Sequence, residues 1–213
     1  MTVELIATGT GAIAENLKHD LTLEGDIVSL EPLSLQHVDG LIGAASSGNL
    51  WELPYTAVPQ AHEMQDMVEK ALEARDQGDQ FPFAVLLKET GEVVGTTRYY
   101  NVEPTHRNLS IGYTWYAQKV HRTGVNTQCK YLLLKHAFEV MNCISVQWHT
   151  DHRNKRSQEA IKRLGAKFEG VLRNNQIRPN GVIRHTHCFS MIDTEWPDAK
   201  AFLESRMAHF LAQ

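Results

Sequence analysis

Very little in this chain is extreme. Its 213 residues include three cysteines, Cys129, Cys143 and Cys188, an odd number without the close spacing of a zinc site. That count speaks against a disulfide framework, and buried, reduced thiols are expected. No apolar run approaches the length of a membrane span. The N-terminal stretch carries Glu4 and Glu15 and lacks a basic segment followed by a long apolar one. No secretory signal is therefore expected, and the location expected is cytoplasmic. A dominant charge is also lacking: 21 Lys and Arg stand against 25 Asp and Glu, a formal net charge of −4. Broad nucleic-acid binding needs a concentrated basic face and is not expected. Arg153, Lys155 and Arg156 form a local basic cluster, either a solvated helix start or a phosphate contact. Of the eleven histidines, only His185 and His187 share one face of a strand, and a metal site would need a third ligand, so no metal is expected. Gly9-Thr-Gly11 is a lone glycine pair with no phosphate-loop sequence after it.

What is present suits one globular domain with a single core. Hydrophobic residues make up 42% of the chain, which is enough for a packed interior. Residues 1–22 read as a loosely attached extension and 23–213 as the domain. A first strand is expected at 27–30, stopped by Pro32. Ser34 is placed to cap a helix with apolar positions at Leu35, Val38, Leu41 and Ile42. Residues 49–59, with Trp51, Pro54, Tyr55 and Pro59, read as a loop or a broken turn. A second helix is expected over 60–77, ended by Gly78. Strands at 83–87 and 93–100 flank the turn Glu89-Thr-Gly-Glu92, and a strand at 109–116 follows. A helix from 127 to about 141 leads to a strand at 144–148, which crossover geometry makes parallel to its predecessor. A short helix over 154–164, strands at 166–173 and 182–192 around Asn180-Gly181, and a last helix opened by Trp196-Pro197 and capped by Thr194 complete the pattern. The fold class is α+β: one mixed, mostly antiparallel sheet with one parallel pair and flanking helices. The last helix offers Ala199, Phe202, Leu203, Met207 and Phe210 either to the core or to a second subunit of a homodimer.

The most informative stretch is Val120-His121-Arg122-Thr123-Gly124-Val125-Asn126-Thr127. It sits between a strand and a helix whose apolar face holds Cys129, Leu132, Leu133, Ala137 and Val140. Unpaired N–H groups at a helix start and the helix dipole favour an anion there. Gly124 permits close approach of the backbone, and Arg122 adds positive charge. The alternative on local spacing is an ordinary turn capped by Asn126 or Thr127. A second segment, 149–170, has a helix opened by Asn154 and Ser157 and ended by Gly165.

Together these segments resemble the GNAT N-acetyltransferase family, in its RimJ/RimL-like branch, which includes ribosomal-protein alanine and serine N-acetyltransferases. The matching residues are Ile111-Gly-Tyr-Thr-Trp115, Arg122-Thr-Gly-Val-Asn-Thr127, Asn154-x-x-Ser157, Arg163-Leu-Gly-Ala166 and Glu169-Gly-Val-Leu-Arg173, spread over residues 23–196. The resemblance implies acetyl-CoA as cosubstrate and an amine acceptor, a peptide N-terminus or a small amine. It implies a fold in which two parallel strands, here 109–116 and 144–150, splay apart around the pantetheine. Backbone groups near Trp115 and Tyr116 would hold that arm, and the N–H groups of Arg122, Thr123, Gly124, Val125, Asn126 and Thr127 the pyrophosphate. The family pattern Gln/Arg-x-x-Gly-x-Gly/Ala is met here by His121, Gly124 and Asn126, and a backbone role survives both departures.

The same resemblance makes Asn154 a cofactor contact and Ser157 the proton donor to the leaving sulfur. For both, helix capping is the alternative. Family members often carry a glutamate just before Ile-Gly-Tyr, where this chain has Ser110. Glu103 is then a weak candidate base beside a solvated loop charge. Trp51 and Tyr55 either line the acceptor site or cover the core edge. An α-amine, with a pKa near 8, needs little help to become neutral. The loss of the glutamate leaves a second reading open, a non-catalytic CoA-binding or protein-interaction module on the same fold.

Overall fold

The computed structural model describes residues 13–17, 20–53, 55–56, 58–178 and 181–211. Among these residues, eight strands form one sheet: β1 (Leu23–Glu24), β2 (Val28–Pro32), β3 (Gln80–Leu87), β4 (Val93–Glu103), β5 (Asn108–Tyr116), β6 (Ser145–Asp151), β7 (Lys167–Ile177) and β8 (Ile183–Ile192). Their spatial order is β1-β2-β3-β4-β5-β6-β8-β7. Every neighbouring pair is antiparallel except β5–β6. The parallel pair follows from its connection: α4 (Val125–Lys135) carries the chain back across the sheet between them. A five-residue π-turn, His136–Val140, lengthens that helix. The Asn180 of the expected hairpin turn lies outside the described residues.

Alternation along the strands puts a core on each face. One face packs Tyr99, Leu109, Ile111, Leu133, Leu134 and Met191 beneath α4 and α6 (Trp196–Leu211). The other packs Leu33, Leu41, Met64, Val68 and Ala84 beneath α2 (Val38–Ser46) and α3 (Met64–Asp76). Trp115 packs against both clusters. Each fully buried aliphatic side chain contributes about 1.5–3 kcal/mol. Tyr99, wholly buried, satisfies its hydroxyl on the Leu133 carbonyl at 2.7 Å. Ile13 and Leu17, within the stretch expected to be loosely attached, are buried in the larger core, and Ile13 opens the short helix α1 (Ile13–Asn16).

Several expectations need correction. Ser34 precedes a 3-10 turn, Leu35–His37, and takes His37 as its capping partner before α2 begins. Thr194 sits inside the 3-10 turn Asp193–Glu195 and does not cap α6. Cys129 and Cys143 are buried, but Cys188 is only half-buried, because its β8 position opposes the surface strand β7. The last helix packs on α4 of its own chain with Ala199 and Leu203 buried, leaving Phe202 outside. Among the described residues of 49–59, Leu50–Glu52 form a 3-10 turn, in keeping with the expectation there. No helix among the described residues is long and apolar enough to cross a membrane.

Candidate active site

The site begins where the parallel pair stops pairing. β5 and β6 are joined only at Asn108↔Ser145, Leu109↔Val146 and Ser110↔Gln147. Beyond Ser110 the outer edges stay held, β5 by β4 as far as Gly95↔Tyr116 and β6 by β8 as far as Asp151↔Thr186. Among the described residues, the inner edges, Ile111 onward and Trp148 onward, have no strand partner. A β-bulge turns β5 away at this point: Tyr113 and Thr114 stand opposite Thr97 alone. Tyr113 takes a left-handed φ of 51°, which a non-glycine residue holds only where its surroundings enforce it. Two features enforce it. A Cβ on Gly95 would lie 2.2 Å from the Trp115 carbonyl oxygen, so only glycine lets β5 come this close. From below, the buried Lys130 donates to Thr97 Oγ1 at 3.0 Å and Thr114 Oγ1 at 2.7 Å. Burial lowers the Lys130 pKa to about 7.

Two helix starts flank the open end. The chain leaves β5 through a 3-10 turn, Gln118–Val120, and enters α4 with Gly124 as its N-cap. Asn126 and Thr127 are thus inside the first turn rather than capping it. Arg122 is held at φ 67°, in the left-handed region. Among the described residues, the N–H groups of Arg122, Gly124, Asn126 and Thr127 find no acceptor, while Val125 N–H donates to Thr123 Oγ1 at 3.3 Å. His121 donates from Nε2 to the Tyr116 carbonyl at 2.9 Å. Its pKa is lowered by burial and by the charge of Arg156, which brings the basic start of the second helix close to this loop. Gly124 needs its small size for a different reason from the one expected. A Cβ there would meet Ile27 at 3.0 Å and Phe210 at 3.3 Å, so packing within the chain fills that side.

The second start is α5 (Lys155–Lys162), entered through Asn154, whose Oδ1 accepts from the Ser157 N–H at 3.0 Å. The capping reading therefore holds for the Asn154 oxygen. The Ser157 hydroxyl makes no hydrogen bond among the described residues. Gly165, at φ 98°, closes the segment, as a helix C-terminus requires.

On the α2/α3 face of the sheet, Tyr100 and His149 meet across the gap. The Tyr100 ring passes over Gly112, where a Cβ would come within 2.7 Å of it, and its hydroxyl lies 3.1 Å from His149 Nδ1. Tyr113 packs edge-on to Tyr100 at 5.3 Å. Burial, reinforced by the charge of Arg184, lowers the His149 pKa; burial pushes Tyr100 up to about 12. Ser110 is buried, and its hydroxyl has no hydrogen-bond partner among the described residues.

Asp151, at the end of β6, has a fully buried side chain. Burial opposes its charge, yet hydrogen bonds from the Arg153 side chain and backbone and from Arg178 hold its carboxyl well below the usual range. Arg178 also donates to the Tyr55 carbonyl at 3.2 Å, tying the loop after α2 to the end of β7. Tyr55 thus borders this basin through its backbone. Trp51 packs against the smaller core. Glu103 is exposed at the far end of β4, opposite Asn108, where β5 and β6 are still closed together. That position takes it away from the open end. Sequence reasoning missed Tyr100, His149 and Asp151, which strand register brings together, Lys130, which reaches the bulge from α4, and Arg178, which follows β7; none carries a spacing signal. No group of three or more His, Cys, Asp or Glu among the described residues is arranged as metal ligands.

Known proteins share this arrangement. The family model described as an acetyltransferase (GNAT) domain matches residues 28–167. A GCN5-related N-acetyltransferase from Brucella melitensis superposes with a TM-score of 0.79 at 27% identity, covering 89% of this chain and 86% of its own. The uncharacterized N-acetyltransferase p20 of Bacillus licheniformis is 23% identical over 179 residues, 82% of this chain and 98% of that protein. Mycobacterium smegmatis RimJ, solved in complex with CoA-disulfide, shares the fold with a TM-score of 0.74 at 18% identity, covering 93% and 97%.

Proposed function

We propose, from the premise that this chain belongs to the GNAT acetyltransferase family, that it transfers the acetyl group of acetyl-CoA to a primary amine at the gap between β5 and β6. The observation that carries this reading is that gap: two strand edges without partners, opening toward two helix starts. Acetyl-CoA supplies the activated acetyl thioester when bound. The residues fit such a group. The unpartnered backbone of β5 beyond Ser110 can pair with a pantetheine arm. The N–H groups of Arg122, Gly124, Asn126 and Thr127 suit a pyrophosphate, with Arg122 and Arg156 as cationic flanks. Asn154, its oxygen engaged in the cap, has its Nδ2 group left for a contact.

His149 is the proposed proton acceptor. In the tautomer whose Nδ1–H donates to the Tyr100 oxygen, Nε2 carries the lone pair. Its lowered pKa keeps it neutral at pH 7. This supplies at the sheet what Ser110 cannot. The Ser157 hydroxyl, at the α5 start, is the proposed proton donor to the leaving sulfur. Glu103 has no part in this scheme. The resemblance to ribosomal-protein N-acetyltransferases makes a peptide N-terminus one candidate acceptor, and a small amine is the other.

Turnover tests the reading. Acetyl-CoA is incubated with Ser- and Ala-starting peptides and small amines, with thiol release and acceptor mass followed together. Release matched by acetylated acceptor is expected. Tight CoA binding without transfer to any acceptor would instead favour the non-catalytic module. His149→Gln should lower kcat and remove the acid limb of the rate profile, a limb that lies below the ordinary histidine value of about 6.5 because the pKa is depressed.

A further inference from the structure

The basin beside His149 is unusual in the sign of its charge. Three guanidinium groups converge on the α2/α3 face of the sheet, from Arg98 on β4, Arg184 on β8 and Arg178 just after β7. Asp151 is the carboxylate there, and Arg178 and Arg153 already occupy both of its oxygens. Among the described residues, neither Arg98 nor Arg184 has a carboxylate within salt-bridge distance. Arg184 donates from Nε to Thr186 Oγ1 at 3.1 Å, and its terminal nitrogens have no hydrogen-bond partner among the described residues. Asp151, beyond salt-bridge distance, attracts it and Arg178 repels it, and its charge bears on His149, Tyr100 and Tyr113.

Arg98 is 6% exposed; it donates to Gln80 Oε1 at 2.6 Å and touches Met67 Sδ at 3.8 Å, and its Nε is buried without a partner. Its guanidinium lies 4.2 Å from the centroid of the Tyr113 ring, which the left-handed bulge residue holds over it as an exposed cover. Burying a cation without a counter-charge is costly. A fold that gathers such cations around a transfer site, with backbone strain holding one cover in place, is built to receive an anion.

We propose that the acceptor is an amine that also carries an oxyanion, a carboxylate or a phosphate, received by Arg184 beside His149, with Arg98 beneath Tyr113 reinforcing the positive field. The inference rests on the acetyl-transfer reading. It gives that reading a direction: polyamines and other polycationic amines meet like charge and are disfavoured. The oxyanion has two sources with one chemistry, a small amino acid or amino phosphate, or an acidic side chain next to a peptide N-terminus.

The test is binding to the CoA-loaded protein, in which no transfer takes place, read by calorimetry. The probes are alanine, alaninamide, 2-aminoethyl phosphate, spermidine, and a pair of peptides beginning Ser-Asp and Ser-Lys. An anionic probe is expected to bind about 10–100-fold more tightly than its neutral or cationic counterpart, the range of a charge-assisted hydrogen-bonded pair. Preference among the small probes alone identifies a small acceptor, and preference for Ser-Asp over Ser-Lys a peptide one; both support the oxyanion. Arg184→Gln should collapse the ratio between anionic and neutral probes, and Arg184→Lys should keep part of it. Equal binding of alanine and alaninamide, with no preference for phosphate or Ser-Asp, overturns the inference, as does tightest binding of spermidine. These results hold for the wild-type chain, so they do not depend on the folding of a variant. If CoA itself does not bind, the acetyl-transfer reading fails first and this inference with it. If CoA binds and amines are acetylated without regard to charge, only this inference fails.

Discussion

Ser157 carries the clearest separation between structure and chemistry at the scale of one residue. Its N–H completes the Asn154 cap, and its hydroxyl is uncommitted. Ser157→Ala should therefore leave the cap and the melting temperature nearly unchanged. Asn154→Ala should lose about 0.5–2 kcal/mol of stability. If Ser157 donates a proton to sulfur, its alanine variant lowers kcat at or below the low end of the about 10²–10⁴-fold range of general acids, because a thiolate leaves readily. Measuring kcat, acetyl-CoA affinity and melting temperature on one sample decides the matter. A drop in melting temperature with kcat intact makes Ser157 a helix residue only.

His136 makes a different prediction at the same scale. It is buried against Tyr99, with ring centroids 6.2 Å apart, and its Nδ1 has no partner among the described residues. Burial lowers its pKa to about 4. The unfolded chain, with a histidine near 6.5, then binds a proton that the folded chain refuses between those two values. This contribution to stability is full above about pH 6.5 and is lost as pH falls toward 4, with a slope of up to about 1.4 kcal/mol per pH unit. His136→Phe should flatten melting temperature against pH in that window. An unchanged slope would show that other groups carry it, such as His149, whose pKa is also lowered.

Among the elements, the β5 bulge decides the site. Gly95→Ala puts a methyl against the Trp115 carbonyl, a backbone atom that cannot swing aside. The strand must shift, at about 1–3 kcal/mol for overpacking, and acetyl-CoA affinity should fall with it. Gly170→Ala on β7, where nothing lies within 4 Å of the new Cβ, is the control and should change neither. Equal behaviour of the two variants in denaturant unfolding and acetyl-CoA titration would mean that the bulge does not shape the site.

These elements also mark where the sequence was readable. The hairpin turn at Gly91, the crossover that makes β5 and β6 parallel, and the helix end at Gly165 all follow from local chemistry that a few neighbouring residues express. The α5 start at Asn154 was legible in place, whereas the α4 start was legible in type but displaced. Thr123 takes the Val125 N–H and Gly124 the N-cap, a choice made by the turn at Arg122 and not by cap preference. The bulge was invisible, since it depends on which residue of β4 faces which of β5. The same holds for Gln128, whose Oε1 receives the Ile27 and Val28 N–H groups at 2.8 and 3.0 Å across about a hundred residues of chain and anchors α4 to β2. The basin of Tyr100, His149, Asp151 and Arg184 draws on three strands, and no spacing along the chain could bring it together.

For the whole molecule, a sheet with helices on both faces keeps two strands fixed at their outer edges while their inner edges part, and the account rests on acetyl-CoA occupying that opening. The most direct test is an amide NMR titration of the folded chain with acetyl-CoA, or with CoA where turnover interferes. Saturable shifts and slowed hydrogen exchange should appear at the N–H groups of Arg122, Gly124, Asn126 and Thr127 and along residues 111–116 of β5. The β7–β8 arm beyond Thr186 should be unaffected. Binding whose shifts fall elsewhere, or no saturable shift at these amides, would contradict the account.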